Sequence, residues 1–201
     1  MTTVPHESTL TRDPQIIELL PAQGDWSEDA YLWLTDYTQR LVEYSDGRIE
    51  VLPMPTDLHQ SVAAVVFVLL AAYFQPRGGK VLFAPLRVRL LSRRFREPDL
   101  VVLAALDDPR RENRFWHGAD LVVEVVSEDD PDRDWIIKRH EYAEAGIPEY
   151  WIVDPRDETV TVLTLDGCAY REHGRFARGQ TATSVRFDGL AAPVADIFDA
   201  G

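Results

Sequence analysis

Cysteine is almost absent from this sequence, since its 201 residues contain only Cys168. A single cysteine excludes an intramolecular disulfide and is typical of a reducing compartment, so we expect a cytoplasmic protein. A thiol nucleophile at Cys168 is the less favoured alternative, because a lone cysteine beside a turn is usually incidental. The one cysteine and five scattered histidines also show no spacing that predicts a zinc site.

Basic charge is scarce as well. The chain has 21 Lys and Arg residues against 34 Asp and Glu residues, which gives a formal net charge of −13. This excess of acid argues against loose nucleic-acid binding driven by overall charge. A local basic groove remains compatible with it.

Long apolar runs and a leader peptide are also missing. The longest apolar run, residues 62–74, is shorter than the roughly 20 residues that a membrane helix needs, so it predicts a buried helix. Residues 1–10 lack a basic patch followed by an apolar core, so we expect no signal peptide. We therefore expect no membrane association.

The pattern of strands and helices predicts one mixed α/β (α+β) domain at residues 25–201, after an irregular arm at residues 1–24. Helices are predicted at about 25–36, 57–74 and 130–145, with one helical turn at 15–20 in the arm. Strands are predicted at 41–44, 48–52, 80–84, 86–91, 99–103, 121–126, 150–153, 159–165, 169–172 and 184–187.

Two acidic residues lie at the start of, or inside, predicted aliphatic strands. Asp99 opens the run Leu100–Leu103, and Glu124 lies inside the run Leu121–Val126. An ionised carboxylate in such a strand costs several kcal/mol unless a cation compensates it. Glu124 therefore needs a metal, a Lys or an Arg, and Asp99 could share that cation. The alternative is that Asp99 caps a turn while Glu124 pairs with a structural arginine.

Lys138 is the candidate cation from the following helix. Trp135, Lys138 and Tyr142 fall at i, i+3 and i+7, which places them on one helix face. The alternative is a surface lysine whose stem packs on Trp135. Two carboxylates suit Mg²⁺ or Mn²⁺, and an ammonium beside them can orient water or offset phosphate charge. Together the three groups indicate metal-assisted hydrolysis of a phosphodiester.

Four motifs carry a resemblance to a known family. They are Glu97-Pro98-Asp99, Val123-Glu124-Val125-Val126-Ser127, Asp134…Lys138…Tyr142 and Ala145–Pro155. In these motifs the chain resembles the Uma2 endonuclease family, which belongs to the PD-(D/E)XK restriction-endonuclease-like superfamily. The resemblance covers roughly residues 25–200, and the motif Ala145–Pro155 is its most specific part.

The resemblance implies a restriction-endonuclease-like αβββαβ core, with a mixed central sheet flanked by helices. An N-terminal helix and hairpin and a C-terminal hairpin would extend this core. The resemblance also implies that Asp99, Glu124 and the main-chain carbonyl of Val125 bind the metal. Val126 stands where the superfamily places its lysine, so the resemblance points to Lys138 as the replacement.

Three further residues are candidates for the site, either because they match positions of the Uma2 family or because they share the helix face of Lys138. Glu43 could add a third carboxylate, or it could be a solvent-facing strand residue. His59 could contact a phosphate or a water, or it could cap the start of the helix at 57–74. Tyr142 joins the possible site residues through its place on the Lys138 face.

An arginine-rich stretch precedes Asp99. Guanidinium groups suit phosphate, so this stretch predicts a DNA-binding rim. A solvated loop that balances nearby acids is the alternative. The arginines are Arg87, Arg89, Arg93, Arg94 and Arg96.

The leading functional hypothesis is a Mg²⁺- or Mn²⁺-dependent endonuclease that acts on double-stranded DNA. A homodimer would place one site on each strand of the duplex. Two alternatives stay open: a non-catalytic interaction module with a nuclease-like fold, and a hydrolase of another phosphate ester such as RNA or a nucleotide.

Overall fold

The structure is a computed structural model and describes residues 20–199. Residues 1–19 of the predicted arm at 1–24, and with them the predicted helical turn at 15–20 except for Leu20, therefore lie outside the described residues. The helices are α1 (Glu28–Tyr37), α2 (Asp57–Phe74), α3 (Arg139–Glu144) and α4 (Val194–Phe198), with a 3-10 turn at Gln75–Arg77 and a π-helical segment at Arg133–Lys138. The strands are β1 (Val42–Ser45), β2 (Arg48–Val51), β3 (Lys80–Phe83), β4 (Val88–Leu91), β5 (Arg94–Arg96), β6 (Leu100–Leu103), β7 (Leu121–Val125), β8 (Glu149–Asp154), β9 (Thr159–Asp166), β10 (Ala169–Ala177), β11 (Thr181–Thr183) and β12 (Ala191–Pro193).

A six-stranded mixed sheet forms the centre of the fold, in the order β10-β9-β8-β7-β6-β3. Strands β7 and β8 run parallel, because the helical segment between them crosses over one face of the sheet. The other neighbours in this sheet are antiparallel. Strands β6 and β7 are buried along their whole length, which explains their continuous Val and Leu composition. The predicted mixed sheet flanked by helices is confirmed.

Helix α2 covers one face of this sheet and has the predicted bounds. Its residues Val62, Val66, Leu70 and Phe74 recur every four positions and are buried in the main core. The predicted buried helix packs against the sheet, but only this face of it is buried, because Val68 on the opposite side is 62% exposed. A helix on the outside of a sheet presents only one face to it.

By length and composition alone, the segment Asp57–Arg77 could cross a membrane. In this fold its buried residues instead pack on the central sheet.

The opposite face of the sheet is covered by the helical segment that the sequence predicts at 130–145. The structure divides it into the π-helical turns Arg133–Lys138 and the α-helix α3. Gly146 ends it with a φ of 74°, as the sequence predicts. The π-helical turns were not predicted, because hydrophobic spacing alone does not reveal one inserted residue.

A second, four-stranded sheet lies beside the first, in the order β2-β1-β5-β4. The predicted β1–β2 hairpin is present, and its turn residues Asp46 and Gly47 have φ values of 49° and 84°. Strand β5 was not predicted, because its sequence Arg94-Phe95-Arg96 contains one apolar residue. Phe95 pairs with Tyr44 of β1 and is fully buried in a small third core.

The C-terminal region differs from the prediction in its strands. The strand expected at 184–187 is wrong, because Ser184 Oγ accepts hydrogen bonds from Arg186 N and Phe187 N and bends the chain. The strands there are β11 and β12, which pair with each other. The predicted hairpin of β9 and β10 is present, and β10 runs further than expected, to Ala177.

Candidate active site

Strand pairing brings the two predicted acids together. Leu100 of β6 lies opposite Val123 of β7 in an antiparallel pair, so Asp99 and Glu124 are the next residues along that register. Lys138 reaches the same place from the end of the π-helical segment. All three line one cavity of about 420 Å³. The structure thus assembles the predicted trio.

Glu124 is held by three donors. Its Oε2 lies 2.9 Å from Lys138 Nζ and 3.4 Å from the donating backbone N of Asp99. The Tyr142 hydroxyl donates to Oε1. Burial raises the pKa of Glu124 well above its ordinary value, and although Lys138 opposes this shift, nearby carboxylates reinforce it. The carboxylate is therefore fixed in position, and its burial disfavours a negative charge that the Lys138 ammonium partly compensates.

Asp99 is fixed by the neighbouring strand and by helix α2. Its Oδ2 accepts a hydrogen bond of 2.7 Å from Val125 N and lies 3.1 Å from His59 Nε2. Burial opposes the imidazolium, but Asp99 raises the pKa of His59. The prediction that His59 caps α2 is wrong, because Thr56 is the cap and its hydroxyl accepts from His59 N at 3.2 Å. The His59 side chain lines the same cavity as Asp99.

Lys138 and Asp134 form the third side of the site. Lys138 is 5% exposed, and the charges of Glu124 and Asp134 raise its pKa although burial alone would lower it. Asp134 Oδ1 lies 3.1 Å from Lys138 Nζ. The surface alternative for Lys138 is wrong, because its ammonium is buried between two carboxylates. Trp135 does not line the cavity, since its indole N–H points to Asp154 Oδ2 at 3.4 Å.

Asp134 is a site residue to which the sequence assigned no role. It is 4% exposed and lines the cavity. Its spacing from Lys138 could have predicted this role. Residues i and i+4 of a helix lie on one face, and Lys138 lies four positions after Asp134.

Glu43 is buried but does not line the cavity. Its Oε2 accepts from Arg96 Nη1 at 3.1 Å, and its Oε1 accepts from Glu97 N at 3.3 Å. Arg96 also donates two bonds, of 2.6 and 2.7 Å, to the carboxylate of Glu141. The solvent-facing alternative is therefore wrong, and in this arrangement Glu43 compensates Arg96 behind the site.

Glu97 adds another acid to the cavity wall. It is 5% exposed, and its Oε2 accepts a hydrogen bond from Val42 N at 3.1 Å. Burial and the adjacent charge of Glu43 raise the pKa of Glu97 to about 8. Glu97 is therefore largely protonated at neutral pH, which limits the negative charge that the wall contributes.

The arginines predicted to bind DNA mostly face carboxylates of this chain. Arg87 pairs with Asp36 at 3.1 Å and Arg89 with Glu28 at 2.9 Å. Their neighbours in the cluster behave similarly: Arg94 contacts Asp46, Glu141 and Glu144, and Arg96 contacts Glu43 and Glu141. Arg93 is exposed. The arginines in the cavity wall are instead Arg133 and Arg156.

The donor chemistry of the site fits a hard divalent cation. Asp99, Glu124 and Asp134 offer carboxylate oxygens to one cavity, and Val125 lies in its wall. Within residues 20–199, no group of three or more His, Cys, Asp and Glu side chains is arranged to hold a metal ion as it stands. Two carboxylates and a carbonyl are nevertheless sufficient for Mg²⁺, because Mg²⁺ usually keeps several water ligands.

A family model agrees with these features. The model, described as "Putative restriction endonuclease", matches residues 28–195. The chain belongs to the Uma2 family. The resemblance found in the sequence motifs is therefore confirmed. No match to a curated protein was found.

A solved structure shows the same fold as this Uma2 chain. It is described as a putative nuclease belonging to DUF820 from Anabaena variabilis ATCC 29413. The TM-score is 0.66 at 21% sequence identity, and the match covers 87% of this chain and 98% of the other. At this identity the likeness establishes the fold alone.

Proposed function

We propose that the protein is a metal-dependent endonuclease that hydrolyses phosphodiester bonds in DNA. The observation that carries the proposal is the convergence of Asp99, Glu124 and Lys138 on one cavity. The description of the Uma2 family and that of the structural relative support the same reaction class.

Each residue of the site has a distinct role in this proposal. Asp99, Glu124 and the carbonyl of Val125 would hold Mg²⁺ or Mn²⁺, which supplies a Lewis acid and lowers the pKa of a bound water. Lys138 orients the attacking water and offsets charge that develops on the phosphate. Tyr142 fixes one oxygen of Glu124, and the backbone N of Val125 fixes one oxygen of Asp99.

Double-stranded DNA is the proposed substrate, and a cytoplasmic homodimer is the proposed working form. A two-fold dimer presents two identical sites, one to each antiparallel strand. Because four of the five clustered arginines face carboxylates, DNA contact through them requires that phosphate replace those partners.

Plasmid cleavage tests the proposal directly. Supercoiled DNA is incubated with Mg²⁺ or Mn²⁺ and the wild-type protein, and we expect nicked or linear products. Asp99→Ala and Glu124→Ala should lower the rate at least about 100-fold, because each removes a proposed ligand. Asp129→Ala is the matched control, since this exposed acid lines the same cavity outside the ligand set. Equal cleavage by all four proteins would contradict the assignment.

A non-catalytic interaction module is the second candidate. The net charge of −13 and the internally paired arginines favour it, because both reduce attraction to phosphate. Calorimetry separates the two candidates. A module without a metal site gives no Mn²⁺ heat that depends on Glu124, whereas the nuclease does.

A further inference from the structure

Asp134 is a buried acid of the cavity that has no role in the proposed reaction. Its Oδ1 lies 3.1 Å from Lys138 Nζ, yet it has no partner with hydrogen-bond geometry. A buried carboxylate oxygen without a hydrogen bond is costly, so it needs a reason. The ammonium of Lys138 is placed between this oxygen and Glu124 Oε2, at 3.1 and 2.9 Å.

We propose that Asp134 is a positioning residue that receives the Lys138 ammonium when a divalent cation binds Glu124. The inference rests on the proposed metal site. Ammonium and metal require the same carboxylate, and two cations at one carboxylate repel each other. Asp134 gives the ammonium a second anion within reach, so Lys138 can stay in the cavity beside the metal.

The local fold holds Asp134 ready for this task. It lies in the π-helical turns, which often mark functional positions in helices. The Tyr150 hydroxyl donates to the main-chain carbonyl of Asp134 at 3.0 Å and fixes the turn against the sheet. Because Lys138 Nζ already lies near both carboxylates, the exchange needs only a small movement of its side chain.

The exchange makes Lys138 a competitor of the metal and Asp134 the residue that relieves the competition. Lys138→Met should therefore bind Mn²⁺ more tightly than wild type, whereas Asp134→Asn should bind it more weakly. Asp134→Asn would also weaken Mn²⁺ binding if the negative charge of Asp134 simply attracted the metal. The double variant separates the two explanations, because an effect that acts through Lys138 disappears when Lys138 is absent.

Calorimetric titration of the full chain with Mn²⁺ at pH 8 provides the test. We expect roughly tenfold tighter binding for Lys138→Met, roughly tenfold weaker binding for Asp134→Asn, and a double variant within about twofold of Lys138→Met. Circular dichroism checks that each protein is folded. If Lys138→Met unfolds, Lys138→Gln replaces it, because its amide can still donate to the two carboxylates.

Two results would overturn the inference. One is equal Mn²⁺ affinity of the wild type and the Lys138 variant. The other is an equal loss of affinity on Asp134→Asn in both backgrounds, which would make Asp134 an ordinary neighbouring charge. Failure of the proposed function looks different: Mn²⁺ binds with the expected pattern, but no DNA is cut.

Discussion

Burial of an acid does not by itself identify the site, because this fold buries several glutamates. Glu149 accepts hydrogen bonds from Trp151 Nε1, Ser184 Oγ, Val185 N and Arg186 N, at 2.7 to 3.0 Å. The donors from residues 184–186 lie in the bend of the chain after β11, which Glu149 holds in place, so Glu149 is structural. Glu124 instead faces a cavity and pairs with an ammonium that has a second acidic neighbour. The environment of the carboxylate decides its role.

Residue-level reasoning from the sequence could find Asp99, Glu124 and Lys138, because an acid or a lysine among apolar neighbours is visible in one chain. It could not find the partner of Glu43, since Arg96 reaches it through pairing of β1 with β5. Asp134 was visible in the motif, but its orientation depends on the π-helical turns.

Glu97 should make the stability of the protein depend on pH. Its pKa is raised from the ordinary 4.5 to about 8 in the folded state. The folded protein therefore holds a proton that the unfolded chain releases between these values. This stabilisation is fully present below about pH 4.5 and is lost as pH rises through about 8.

Glu97→Gln removes this titration. Urea unfolding without divalent metal, at pH 5.5 and pH 8.5, should show the variant gaining about 2–4 kcal/mol relative to wild type at the higher pH. Asp129→Asn, an exposed acid of the same cavity, is the control. A difference between wild type and Glu97→Gln that does not change with pH would contradict the assignment.

At the scale of elements, periodicity and turn residues predicted most of the fold. Helix α2 has the predicted bounds, and the Asp46–Gly47 hairpin forms where the sequence places it. The short strand β5 was missed because it contains one apolar residue, although it pairs both with the adjacent β4 and with the distant β1. Composition predicts that α2 is buried, but it does not tell which face of this apolar helix contacts the sheet.

The two faces of α2 should respond differently to truncation. Leu70 is 1% exposed and packs in the main core, whereas Val68 is 62% exposed. Leu70→Ala should lower the free energy of unfolding by about 2–5 kcal/mol, because it leaves a cavity. Val68→Ala should change it by less than about 0.5 kcal/mol. Urea denaturation measures both, and similar losses would mean that the exposed face of α2 is covered by a partner in solution.

At the scale of the whole molecule, the net charge of −13 and the arginine cluster have opposite effects on attraction to phosphate. Acids compensate most of the cluster within the chain, so the arginine count overstates the charge that is free to meet phosphate. Sequence spacing could not show this, because Asp36 and Glu28 come from α1, far from the arginines along the chain. Family and fold were predictable because their motifs are local.

Removing one acidic partner of these arginines tests whether they bind DNA. The Asp36 carboxylate pairs with Arg87 at 3.1 Å and with Arg114 at 2.7 Å, so Asp36→Asn weakens both restraints and removes one negative charge. If Arg87 meets phosphate, the variant should bind duplex DNA more tightly. The plot of log affinity against log salt should also steepen by about one unit for each additional phosphate that an arginine neutralises.

Fluorescence anisotropy with a labelled duplex, without divalent metal, measures both quantities. Asp166→Asn is the matched control, because Asp166 pairs with Arg171 on the exposed β9–β10 hairpin and its loss changes the net charge equally. Equal affinity and slope for the two variants would assign any increase in affinity to net charge alone. The predicted binding of Arg87 to DNA would then be wrong, and the duplex would have to use another surface of the chain.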